Sequence, residues 1–138
     1  MMEAFAAYGH AIFSLAIWSL LVSVLAAVST SGRTPENRCD CGKPKRDYTN
    51  PVYRSERAFA NAVETSGPFV ASTVAAILAG ADPFWVNLLA SVFILARVAT
   101  ALVHIRTENQ AARSATWGIA LLCVILMALF AVGAVIWG

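Results

Sequence analysis

The sequence predicts an all-α integral membrane protein, a bundle of four transmembrane helices, and three observations carry that prediction. The chain of 138 residues is 59% hydrophobic and only 13% charged, against roughly 25% charged in soluble domains. It holds several uncharged or nearly uncharged runs of the ~20 residues that cross ~30 Å of hydrocarbon. Its basic residues lie almost entirely between those runs. One compact helical domain spanning 1–138 is expected, with no room for a second.

Residues 4–31 carry no charge and form the first expected helix. A secretory signal peptide begins with a positively charged region, whereas this chain begins Met1-Met2-Glu3. The segment is therefore expected to be retained. Residues 32–52, with Thr34-Pro35-Glu36-Asn37 and Asn50-Pro51, read as an irregular surface loop. The second helix is expected over about 53–80, polar at its start and then apolar. Gly80-Ala81-Asp82-Pro83 is a tight link that makes the third helix, about 84–105, an antiparallel neighbour of the second. The fourth is expected over 114–137, a run without charge.

Orientation follows from the cations. Arg33, Arg38, Lys43, Lys45, Arg46, Arg54 and Arg57 lie between helices one and two or on the first turns of helix two. Arg106 and Arg113 lie between helices three and four, and Arg97 lies inside helix three. Lys and Arg in short loops are retained on the cytoplasmic side. Both basic segments are thus expected to be cytoplasmic and both termini on the opposite side.

Within helix two, Arg54, Arg57, Asn61 and Glu64 are spaced three, four and three apart. At about 100° per residue they fall within an arc of roughly 80°. Polar groups below a membrane surface find no partners in lipid, so this stripe is expected to face the bundle interior or a wet cavity. Arg97, Thr100 and His104 form a matching stripe on helix three. Glu64 and Arg97 sit at similar depth, which favours an ion pair between them, either as a tie between helices or as part of a ligand site. Nothing in the sequence neutralises a second buried arginine, so an anionic ligand is expected near Arg57 and Asn61.

Arg113-Ser114 opens the expected fourth helix, with Ser114 placed as an N-cap. Free amides of a first turn and a neighbouring cation favour an anion, and together they lower the pKa of a bound thiol. The same two residues also fit a plain cap with a snorkelling arginine. Cys39 and Cys41 sit in the first loop without other Cys or His, too few ligands for a zinc site within one chain. A redox pair or a metal shared between chains stays open, and no metal site is assigned. Cys123 reads as a small apolar core residue.

Taken together, Arg54-x-x-Arg57-Ala-x-x-Asn61-x-x-Glu64-x-x-x-Pro68-Phe69, Ala96-Arg97-Val98-Ala99 and Arg113-Ser114 resemble the MAPEG superfamily. These are membrane-associated proteins of eicosanoid and glutathione metabolism, among them microsomal glutathione transferases and prostaglandin E synthase. The similarity runs over about residues 52–117. It implies a homotrimer with three glutathione sites between neighbouring subunits, open to the cytoplasm. It further implies a glutathione-dependent transferase or peroxidase with a detoxification role, acting on hydrophobic small molecules held in membrane lipid, with no nucleic-acid partner.

By position, the resemblance assigns glutathione binding to Arg54, Arg57, Asn61 and Glu64, and thiol activation to Arg113 and Ser114. His104 stands where the family has a tyrosine that contacts glutathione. Arg33 stands at the end of helix one, where the family has an arginine, and Arg97 takes a supporting role. The chain departs from the family pattern at Phe59, His104 and Trp117. Two other classes share parts of this pattern. A small four-helix transporter has a buried carboxylate but carries it on helix one, which is uncharged here; a non-catalytic membrane protein keeps the bundle without the chemistry.

Overall fold

A computed structural model describes residues 5–138 of the chain, and its four long helices are α1 (Gly9–Thr30), α2 (Pro51–Leu78), α3 (Pro83–Arg106) and α4 (Gln110–Trp137). The start expected for helix one, residue 4, lies outside the described residues; the helix itself begins at Gly9. Three of the helices, α1, α3 and α4, are long and apolar enough to cross a membrane. Among the four, α2 is equally long as α4 but carries Arg54, Glu56, Arg57 and Glu64 in its first half.

Helix ends differ from the sequence expectation where local caps extend the helix beyond its apolar run. Asn50-Pro51 is not loop: the Asn50 side chain accepts from Val52 N at 2.9 Å and Pro51 occupies the first turn, where its missing N–H costs nothing. The fourth helix starts four residues early because the Asn109 side chain accepts from Ala112 N at 3.0 Å. Ser114 is therefore not its cap but an exposed residue inside it. The expected tight link between α2 and α3 is present. Gly80 takes φ 70°, a left-handed conformation natural to glycine, and the Asp82 side chain accepts from Phe84 N at 2.9 Å to cap α3.

The helices α2 and α3 form the central pair, with α1 and α4 each packed against both. At mid-height Phe69 and Phe93 stack with ring centroids 3.8 Å apart, and Trp18 sets its edge against both at 6.1 and 5.1 Å. All three are at most 2% exposed. Trp18 Nε1 donates to Ser66 Oγ at 3.0 Å, so this buried indole keeps a partner. Toward the other end, Tyr8 Oη donates to Ala81 O at 2.6 Å, and the Asn87 side chain accepts from Ala11 N and donates to Ala7 O. Those bonds fix the start of α1 on the α2–α3 turn.

Removing a buried aromatic costs about 3 to 5 kcal/mol through lost contacts and the cavity left behind. Phe93→Ala is expected to lower the unfolding free energy by that amount in detergent micelles. Phe84→Ala, on a residue 65% exposed, is expected to change it by less than about 0.5 kcal/mol.

Candidate functional site

The first loop is tied down rather than irregular. Asn37 Oδ1 accepts from Thr34 N, its Nδ2 donates to Gly32 O, and Lys45 N donates to Asn37 O. Arg38 and Pro44 form an antiparallel bridge, Cys39 N donates to Lys43 O at 2.8 Å, and Cys39 is disulfide-bonded to Cys41. Gly42 takes φ 78° at the tip. The result is a miniature hairpin. Further along, Asp47 accepts from Thr49 Oγ1 at 2.7 Å and Thr49 N at 2.9 Å, which hold its carboxyl below the usual range.

Two arginines anchor this loop. Arg33 donates from Nε to Ser29 O, from Nη1 to Gly42 O and from Nη2 to Glu56 Oε2 at 2.8 Å. Glu56 is only 6% exposed and also meets Lys43 at 3.4 Å. Arg54 donates from Nε to Ile105 O and from Nη1 to Tyr48 O and Thr49 O. The Glu108 carboxylate stands 3.8 Å from its Nη1. The guanidinium of Arg54 thus joins the end of the loop to the end of α3.

Held there by Arg54, Tyr48 lies beneath the Arg113 guanidinium, 4.6 Å from carbon to ring centroid, within reach of a cation–π attraction. Tyr48 also sets its ring edge-on to Tyr53 at 5.1 Å. These contacts close one side of a cavity of about 210 Å³ lined by Tyr48, Asn61, His104, Gln110, Arg113, Ser114 and Trp117. Inside it, Asn61 Oδ1 and Arg113 Nη1 are buried without a hydrogen-bond partner. His104 is 9% exposed, and its Nδ1 lies 3.2 Å from Thr100 O. Donation from Nδ1 to that carbonyl leaves Nε2 of the neutral ring as an acceptor.

The residues singled out from the sequence therefore divide. Asn61, His104, Arg113 and Ser114 line one cavity, and Arg57 and Glu64 do not. Arg33 and Arg54 do not line it; their donors are taken up by carbonyls and carboxylates. The stripe on α3 faces inward, with Arg97, Thr100 and His104 all buried. The stripe on α2 does not face the core of the chain. The buried face of that helix is centred on Ala58, Ala62, Phe69 and Ala76, roughly a quarter-turn away from the stripe. Arg54, Arg57 and Asn61 are half-buried and Glu64 is exposed.

The expected Glu64–Arg97 ion pair is correspondingly not made within 4 Å. Arg97 is 3% exposed and rests over the Trp18 ring at 5.6 Å, with Nε and Nη1 unpartnered. Sequence reasoning missed Tyr48, Gln110 and Trp117 as cavity walls and Glu56 as the partner of Arg33. Glu56 carried a signal: two residues past Arg54 it falls off the stripe, toward the loop. Tyr48 carried none.

Among the comparisons with known proteins, the model described as MAPEG family matches residues 8–133. No curated protein is matched by the chain.

Removing one member of a buried pair leaves the other uncompensated. Arg33 keeps a side-chain exposure of 22%, so Glu56→Gln is expected to cost about 2 kcal/mol, below the several kcal/mol of a fully buried pair. Denaturant titration in micelles measures this. Adding Arg33→Gln to Glu56→Gln is expected to cost less than the sum of the two single changes.

Proposed function

The chain belongs to the MAPEG family, which includes glutathione transferases and related membrane proteins, and on that premise we propose that it is a glutathione-dependent membrane transferase or peroxidase acting on lipophilic electrophiles. The observation that carries this reading is the pair of buried, unpartnered groups, Asn61 Oδ1 and Arg113 Nη1, that converge on the cavity shared with His104 and Ser114. A buried donor and acceptor left open together are costly in the free protein. They fit a ligand that carries an anion beside a peptide group, which is the donor and acceptor set of glutathione.

In this reading Arg113 faces the thiol sulfur and favours its thiolate by charge, and the Ser114 hydroxyl donates to the same sulfur. Asn61 Oδ1 accepts from a peptide N–H, Arg57 meets a carboxylate, Glu64 meets the α-ammonium group, and His104 Nε2 accepts one further donor. The thiol proton passes to solvent at the mouth. The thiolate then attacks the electrophilic carbon, forming an S–C bond as the leaving group takes the bonding pair. Holding a polar thiol and a membrane-dissolved electrophile side by side supplies the proximity contribution.

Assembly as a homotrimer, with sites between neighbouring subunits, is supported by Glu64. It is exposed near the midpoint of a 28-residue helix, a depth at which a carboxylate facing lipid is costly. A neighbouring subunit covers it and completes the pocket beside Arg57. The nine cations gathered at one end of the bundle support a cytoplasmic opening with both termini on the far side.

Glutathione is expected to raise the thermal midpoint of the purified protein and to produce an ultraviolet thiolate signal. Arg113→Ala is expected to abolish the thiolate signal and to lower kcat/KM for conjugation about a hundredfold, the scale of losing one preorganised electrostatic donor. Full-rate conjugation by that variant would remove the thiol-activation role.

A further inference from the structure

The bridge between Cys39 and Cys41 takes no part in the cavity chemistry, and its position argues against a structural staple. A disulfide stabilises chiefly by restricting the unfolded chain, and it does so least when the loop is shortest. Here the two half-cystines are two residues apart. The hairpin around them is already closed by Cys39 N to Lys43 O, Gly42 N to Cys39 O and Lys45 N to Asn37 O, and its tip is held by Arg33 Nη1 on Gly42 O. None of those contacts runs through a sulfur atom.

Reactivity is a different matter. Cys41 is exposed and Cys39 half-buried, so a small reagent reaches the outer sulfur. The stretch 38–46 carries Arg38, Lys43, Lys45 and Arg46 against the single acid Asp40. A net positive surface attracts anionic thiols and stabilises a departing thiolate. We propose that Cys39 and Cys41 form a reversible thiol–disulfide exchange centre for small anionic thiols of the glutathione class, carried on the hairpin of the first loop.

In the exchange, the reagent thiolate attacks Sγ of Cys41, forming a mixed disulfide as the S–S bond breaks and Cys39 departs as the thiolate. A second reagent thiolate attacks the reagent sulfur of that mixed disulfide, and Cys41 departs in turn. The two protons released by the reagents end on the two cysteines. Two thiols become one disulfide, and the protein gains a dithiol. The reverse direction oxidises the pair at the expense of the small disulfide. The hairpin tip is bonded to Arg33, which is bonded to Glu56 on α2, so the exchange centre is anchored to the helical bundle.

The test is a redox titration of the full-length protein in detergent micelles, equilibrated in mixtures of glutathione and its disulfide, then denatured and alkylated for counting by intact mass. Of the three cysteines, Cys123 is the free one. One alkylated thiol is expected in the oxidising mixtures and three in the reducing ones, with a reversible transition inside the range that glutathione buffers. One thiol throughout would make the bridge an inert staple, and three throughout would mean the pair does not close; either overturns the proposal. A bridge between two chains, visible as a doubled mass, overturns it too.

The single variants add an independent readout. Cys39→Ser is expected to take up one glutathionyl group on Cys41 at least several-fold faster than Cys41→Ser takes one up on Cys39. Equal or inverted rates count against attack at the outer sulfur. This exchange is separable from conjugation: Arg113→Ala is expected to leave the titration unchanged, and the Cys39→Ser/Cys41→Ser double variant is expected to keep the conjugation rate.

Discussion

The stacked rings of Phe69 and Phe93, with the Trp18 edge against both, join three helices at one level, and the placement of the polar groups beyond them follows from that junction. Ring stacking of this kind fixes the axial register of α2 against α3, because a slip by one residue would rotate each ring out of the core by about 100°. With Phe93 fixed, Arg97 lies one turn further toward the basic end and is laid across the Trp18 face. His104 follows two turns beyond Arg97 and faces the mouth of the bundle. The aromatic junction thus sets how far apart the intramembrane guanidinium and the cavity stand.

Beyond the junction, the arginines sort by the acceptors that the backbone leaves free. The C-terminal carbonyls of a helix have no donors within the helix, and Arg33 and Arg54 take that role for Ser29 at the end of α1 and Ile105 at the end of α3. Each adds loop carbonyls, and Arg33 adds the buried Glu56. Arg113 stands near the N-terminus of its helix, where the carbonyls are already used and the free groups are donors. It finds no backbone acceptor for Nη1 and takes the Tyr48 ring instead. Whether an arginine here is structural or open to a ligand is decided by whether free carbonyls lie within its reach.

This sorting also explains how much of the molecule was legible in the sequence. The four helices were legible because hydropathy and charge are local, and the inward face of α3 because Arg97, Thr100 and His104 share a helical period. Apolar runs alone place the starts of α2 and α4 too late, because the caps Asn50 and Asn109 act outside those runs. The stripe on α2 was recognised as a stripe, but its direction was not given by its own spacing. That direction depends on Ala58 and Ala62, whose small size lets other helices approach the adjacent face. The folded first loop was hidden for a similar reason: the bonds that shape it run from Asn37, Arg33 and Arg54 to main-chain atoms.

A helix that turns alanines inward and a carboxylate outward has its burial incomplete. Beside Glu64, α2 exposes Val63, Val70 and Val74, so the charge is set within an apolar surface rather than on a polar one. Lipid satisfies the valines and not the carboxylate. Water satisfies the carboxylate and not the valines. A protein surface that brings a cation opposite Glu64 and apolar side chains opposite its neighbours satisfies both, which is the requirement the proposed trimer would meet. In the proposed trimer that surface lies on the same helix as Arg57 and Asn61.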